Sequence, residues 1–284
     1  MISLSEYLQV ARERGMAIGH FNFATADVLR AIVEGAQRAH APCVMVGTSE
    51  KEAQYVGMTS AVALVRAIRE ASGFPVFLNA DHFKSVDACM RAIDAGYDTV
   101  LFDGGALSLE ENISQARQVV EYAKSRGNIP VEGEIGYLKG SSQVQTTVEI
   151  TPADYTKPEE AEMFVARTGV ERLAVVFGNI HGIVTQQEEV LDIPHLVRIV
   201  AQVPQVALVL HGASGLPDAQ VRSAIDAGIV NVHFNTELRI AWQDGLKEEL
   251  TMHPDETTPY KLLAPAMERV RSVVEAKCRM FAGH

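Results

Sequence analysis

Three of the nine histidines in this 284-residue chain stand where short apolar runs give out, and acids stand at the ends of neighbouring runs. In PVFLNADHF, the apolar stretch Pro75 to Leu78 leads into Asn79, Asp81 and His82. His181 stands in GNIHG and His211 opens HGASG, while Asp103 ends VLFD and Glu134 sits in VEGEI. One histidine at the end of an apolar run is most often a hydrogen-bonded structural residue. Three with the same placement can converge, and three neutral imidazoles with an open fourth position make a catalytic zinc arrangement. A carboxylate beside such a centre, as Asp81 is beside His82, suits proton transfer to a reacting oxygen.

Convergence requires elements that bring distant segments to one place. Eight runs rich in Val, Ile, Leu and Phe recur at 16–23, 41–47, 74–80, 98–104, 129–135, 172–178, 205–212 and 229–235. Runs of that kind read as strands covered on both faces. Helical patterns alternate with them, opened by caps such as Thr25 and Ser85 and closed by glycines such as Gly96 and Gly228. Eight such units without a linker predict one α/β domain over 1–284, a (β/α)8 TIM barrel, with a helical extension at about 259–281. The rival, an open doubly wound sheet, would show a GxGxxG turn after its first strand, where His20-Phe21-Asn22-Phe23 stands instead.

In a barrel of this type the reactive groups lie at the C-terminal strand ends. The residues there are Asn22, Ser49, Asp81 with His82, Asp103, Glu134, His181, His211, and Asn235 with Thr236. His20 and His233 fall inside strands and read equally as pocket lining or core. His40, His195, His253 and His284 fall in helix or tail contexts and read as surface or satisfied residues. Gly182 and the turn Gly212-Ala213-Ser214 would let a ligand approach main-chain N–H groups, with Phe234-Asn235-Thr236 opening the next helix. That makes an anion nest or ordinary cap chemistry. Residues 136–156 form an unusually long connection, expected to be a functional lid or a disordered segment.

Composition narrows the partners. A net charge of −11 argues against nucleic acid, whose phosphates require basic stripes. The N-terminal residues lack the apolar core of a signal peptide, and no run approaches the length of a membrane helix. Three cysteines without a CxxC spacing read as free thiols. A cytoplasmic protein without membrane contact is expected.

The motifs AIGHFNF, NADHF, FDGG with SLEENI, VEGEIGYL, YTKPEEAEMFVARTGV, GNIHG, VLHGASG and VHFNTELR, in that order, resemble the class II metal-dependent fructose- and tagatose-bisphosphate aldolases over nearly the whole chain. The resemblance implies that His82, His181 and His211 hold Zn2+, with Asp103 and Glu134 as an alternative metal position. It implies that Asp81 is the catalytic acid. It also implies that Asn22, Ser49, Gly182, Gly212, Ala213, Ser214, His233, Phe234, Asn235 and Thr236 contact a small phosphorylated sugar. A monovalent cation (Na+ or K+) near the phosphate and a homodimer or homotetramer are implied as well. The implied reaction is reversible retro-aldol cleavage of a ketose 1,6-bisphosphate, fructose-1,6-bisphosphate first, to dihydroxyacetone phosphate and glyceraldehyde 3-phosphate. An imine mechanism would need a lysine at the site; none lies within the eight runs, and only Lys84 and Lys139 sit just past strand ends.

Four departures from the family pattern stand out. Ser141 and Ser142 stand where a loop acid is usual, leaving Glu149 as the nearest acid able to take that role. His233 stands where many relatives carry Asn, and Asn231 where many carry a basic residue. Phe83 replaces a frequent Gly, and Thr185 a frequent Lys. These departures bear on the substrate. Alternatives are therefore tagatose-1,6-bisphosphate, another phosphorylated ketose or keto acid such as an inositol-catabolic intermediate, and a non-catalytic barrel subunit. The intact set Asp81, His82, His181 and His211 argues against the last.

Overall fold

The computed structural model of the chain describes residues 2–283, so His284 lies outside the described residues. Its strands are β1 (Ile18–Asn22), β2 (Val44–Ser49), β3 (Val76–Phe83), β4 (Thr99–Phe102), β5 (Val131–Ile135), β6 (Gly140–Gln145), β7 (Arg172–Val175), β8 (His181–Val184), β9 (Ala207–Leu210) and β10 (Ile229–Phe234). Eight of them close a parallel barrel in the order β1-β10-β9-β7-β5-β4-β3-β2. Each barrel strand matches one of the eight apolar runs, and almost every strand residue is buried, as strands sandwiched between an interior and a helical shell must be.

Helices α1 (Leu4–Glu13), α2 (Ala26–Arg38), α3 (Glu50–Val56), α4 (Met58–Ser72), α5 (Val86–Ala95), α6 (Leu109–Ser125), α7 (Pro158–Thr168), α8 (Ile193–Gln202), α9 (Asp218–Asp226), α10 (Thr236–Met252) and α11 (Pro259–Ala282) surround the barrel. Local chemistry starts several of them: Ser3 with Glu6, Ser49 with Glu52, and Ser108 with Glu111 form reciprocal capping boxes. Leu4, Leu8 and Ala11 of α1 close the N-terminal end of the barrel against Ile18, Met45, Phe77, Ala207 and Val230. The expected C-terminal extension is α11, whose Val270, Val274, Cys278 and Phe281 are buried against the rest of the chain. Its surplus of apolar positions is thus consumed within the molecule. All three cysteines are free and buried. No helix among the described residues is long and apolar enough to cross a membrane.

The long connection 136–156 holds regular structure that the sequence did not reveal. It contains β6, which pairs in parallel with β8 (Gly140↔His181, Val144↔Ile183, Gln145↔Val184), and a 3-10 turn at Pro152–Asp154. The strand escapes a reading by hydropathy because GSSQVQ is polar and stays largely exposed. Gly182 makes the pairing possible. A Cβ there would stand 2.2 Å from Ser141 O and 2.4 Å from Gln143 O, and its φ of +97° suits glycine.

Leu8→Ala should lower the stability of the fold by about 2–5 kcal/mol, because it opens a cavity in the cap that α1 forms. A fall in the thermal midpoint with the site intact is expected; an unchanged midpoint would show that α1 does not contribute to barrel closure.

Candidate active site

At the C-terminal rim a cleft of about 410 Å³ is lined by Asn22, Ser49, Asp81, His82, His181, Gly182, His211, Gly212, Ser214, His233, Phe234, Asn235 and Thr236. A groove of about 610 Å³ at the other end is lined by Leu8, Arg12, Glu13, Glu171, Arg172 and Val206, and has none of the cleft's histidines. Arg12 there is occupied by the carbonyls of Pro204 and Val206.

The pairing of a carboxylate with an imidazole at 81–82 has a local cause. Successive residues of a regular strand point to opposite faces. Here Ala80 pairs with Val100 and Phe83 with Phe102, so Asp81 and His82 together face the single residue Leu101. This bulge, with His82 at a φ of +52°, turns both side chains toward the cleft. The bulge is flanked by the fully buried ring of Phe83, whose carbonyl accepts from Asp103 N–H, and by the His82 Nδ1 contact to Asp103 Oδ2.

The three histidines converge. The His82 ring lies 5.0 Å from that of His181 and 4.6 Å from that of His211, centre to centre. Ligand-capable atoms of Asp81, His82 and His211 come within 4.8 Å of one another, as do those of His82, Asp103 and Glu134; His181 belongs to neither tight group. His82 Nδ1 is 3.2 Å from Asp103 Oδ2 and 3.4 Å from Glu134 Oε2, leaving Nε2 for the cleft. Asn22 Nδ2 donates to Asp81 Oδ2 at 2.9 Å and to Glu52 Oε2 at 3.0 Å.

Electrostatics follow from burial and neighbours. Burial opposes a charge on His82, yet Asp81, Asp103 and Glu134 outweigh it and carry its pKa up to about 10. Burial, then the like charge of Asp103, pushes Glu134 up to about 8. Burial and the facing His82 and His211 drop His181 to about 3. Three side-chain atoms here, Asp81 Oδ1, Glu134 Oε2 and His233 Nδ1, are buried without a hydrogen-bond partner. Nitrogen and carboxylate donors, some of them orphaned and crowded around one point, fit a divalent cation of the borderline-soft kind.

The family is decided by comparison over the whole chain. The description "Fructose-bisphosphate aldolase class-II" matches residues 2–284. The chain belongs to the class II fructose-bisphosphate aldolase family. It is 35% identical over 283 residues to the 6-phospho-5-dehydro-2-deoxy-D-gluconate aldolase of Shouchella clausii, covering 99% of this chain and 94% of the relative. It is 34% identical over 284 residues to the fructose-bisphosphate aldolase of Staphylococcus epidermidis, covering 99% and 97%. Among solved structures, the YdjI aldolase of Escherichia coli K12 superposes with a TM-score of 0.84 at 28% identity, covering 99% of this chain and 97% of that one. The chain is therefore an aldolase of a metal-dependent family.

Other residues named from the sequence fall into distinct places. Ser49 lines the cleft, but its hydroxyl is engaged with Glu52 in the cap of α3. Ala213 is buried behind the lining, and Glu149 is exposed beyond β6 and does not line the cleft. Ser142 and the backbone around it reach over the mouth, where Arg239 donates to the Ser142 carbonyl and hydroxyl. His195 is satisfied by the Thr156 carbonyl at 2.7 Å and by Arg198. His20 proves to be interior, stacked on His233 at 3.7 Å. Four residues went unremarked in the sequence: Glu132, Arg172, Lys51 and Arg239. Charged residues inside the apolar runs VEGEI and RLAVV were the available signal, since Glu132 and Glu134 share one strand face.

With both His82 and Glu134 raised, each contributes stability at low pH that is lost as pH rises through about 10 and about 8 respectively. Chelator-treated protein should accordingly show a falling thermal midpoint between pH 7 and 10. A midpoint that is flat or rises over that window would contradict the assigned charge states.

Proposed function

We propose that the chain is a zinc-dependent aldolase that cleaves a phosphorylated ketose, with fructose-1,6-bisphosphate as the first substrate and dihydroxyacetone phosphate as the common product. The observation that carries the reading is the β3 bulge, which aims Asp81 and His82 into one cleft with His181 and His211. His82, His181 and His211 would hold the metal. When bound, it supplies Lewis acidity toward the ketose carbonyl. Asp81, oriented by Asn22, takes the C4 hydroxyl proton in cleavage and returns it in condensation. Gly182, Gly212, Ser214, Asn235 and Thr236 offer main-chain and hydroxyl groups to a phosphate, with Lys51 and Arg239 adding positive charge at the rim. That local charge suits an anionic substrate in a protein of net charge −11.

A second substrate reading rests on the relative in Shouchella clausii named for 6-phospho-5-dehydro-2-deoxy-D-gluconate, which is 35% identical to this chain where the Staphylococcus epidermidis fructose-bisphosphate aldolase is 34% identical. Tagatose-1,6-bisphosphate shares every group except the configuration at C4. A coupled assay for triose-phosphate release over these three compounds, with metal content measured in the same sample, separates them. Cleavage should vanish with chelator and survive borohydride in the presence of substrate. Loss to borohydride with survival in chelator would establish an imine mechanism instead.

His181→Ala should remove both zinc and activity, whereas His195→Ala, outside the cleft, should leave both near wild type. Asp81→Asn should keep zinc and lower turnover by about 10²–10⁴-fold. Equal effects of His181→Ala and His195→Ala on metal content would overturn the assignment.

A further inference from the structure

Arg172 opens β7 at the floor of the barrel interior and is only 1% exposed. A guanidinium has donors alone, so every polar atom it meets must accept. It places Nη2 3.0 Å from Asn79 Oδ1 and 2.7 Å from Thr99 Oγ1, and Nη1 3.0 Å from Asn231 Oδ1 and 2.7 Å from Glu132 Oε2. The last contact has ion-pair distance without hydrogen-bond alignment, which leaves Glu132 Oε2 without a donor.

We propose that Arg172 is a positioning residue that fixes, through hydrogen-bond direction, which ring nitrogen His211 and His233 present to the active-site cleft. The proposal rests on the aldolase reading for its effect on turnover only. Two chains of hydrogen bonds carry it. In the first, Glu132 is held as a carboxylate by Arg172 and can only accept. His211 Nε2, 2.8 Å from Glu132 Oε1, must therefore carry the proton and leave Nδ1 as the bare nitrogen. In the second, Asn231 is oriented twice over. Its Oδ1 accepts from Arg172 and its Nδ2 donates to the Ile18 carbonyl at 2.8 Å. His233 Nε2, 3.1 Å from that same Oδ1, donates in the assigned tautomer, which leaves His233 Nδ1 bare and facing Asp81 Oδ1 at 3.3 Å; the competing tautomer would instead donate from Nδ1 to Asp81.

A third branch braces the ring. Asn79, oriented by Arg172, donates to His20 Nε2 at 3.2 Å, and the His20 ring lies flat on His233 with an interplanar angle of 10°. His211 and His233 are themselves neighbours, 4.0 Å apart between ring centres. One buried cation thus sets the donor and acceptor pattern of two adjacent cleft histidines. The edge formed by His233 Nδ1 and Asp81 Oδ1 holds two acceptors and no donor, the pattern that receives a substrate hydroxyl and rejects a carbonyl oxygen at the same place.

The test is nitrogen-15 NMR of histidine-labelled, chelator-treated protein, combined with zinc affinity and steady-state kinetics. In the wild type both His211 and His233 should carry the proton on Nε2. Arg172→Lys keeps the charge opposite Glu132 but loses the planar fork that spans Asn79 and Asn231. It should mix the His233 tautomers and lower kcat by about tenfold or more, with KM changed by less than about twofold. Asn231→Leu should disturb His233 alone and leave the His211 tautomer and zinc affinity as in wild type, and it carries the test if Arg172→Lys fails to fold. Nδ1–H on either ring in the wild type, or Arg172→Lys with unchanged tautomers and turnover, overturns the proposal. A wild type that cleaves no phosphorylated ketose yet shows both rings as Nε2–H overturns the aldolase reading and supports the positioning role.

Discussion

Four carboxylates, those of Asp81, Asp103, Glu132 and Glu134, lie within or at the rim of one apolar barrel, three of them buried and Asp103 nearly so. Acids in such a place need positive charge opposite them, or they neutralise. Glu132 has Arg172. The other three face His82, whose pKa their combined field raises, and Glu134 responds to the shortage by holding a proton to unusually high pH. The arrangement is one that a divalent cation on the histidines would complete, since it would supply the charge that the protein alone provides only in part.

The barrel was legible in the sequence because its strands are buried on both faces and read as apolar runs, and each of the eight expected runs overlaps one barrel strand, with β2 and β3 continuing past the expected ends. The positions of His82, His181 and His211 could be read because they interrupt or follow those runs. What could not be read was the mechanism of their convergence. The bulge at Asp81 and His82 depends on pairing with β4, a tertiary relation that periodicity does not encode. The β6–β8 ribbon escaped for a related reason: its strand is polar, and it is held by main-chain pairing and by the missing side chain of Gly182.

Two of the departures from the family pattern named in the sequence, Asn231 and His233, meet in one structural feature. Asn231, at a position where a basic residue is frequent, lies against Arg172, which brings a buried positive charge from β7 instead. His233, at a position where Asn is frequent, is stacked on His20 and tied to Asn231. Residues that look like separate substitutions along the chain therefore form a single packed polar layer below the cleft. Ser141 and Ser142, by contrast, belong to the ribbon above it, and Arg239 connects that ribbon to α10. Glu149 lies outside both layers.

Zinc K-edge X-ray absorption of the loaded protein tests the metal centre most directly. One zinc per chain is expected, with three imidazole nitrogens at about 2.0–2.1 Å and light oxygen donors in the remaining coordination. A spectrum showing fewer than three imidazoles, or sulfur in the first coordination sphere, would contradict that assignment.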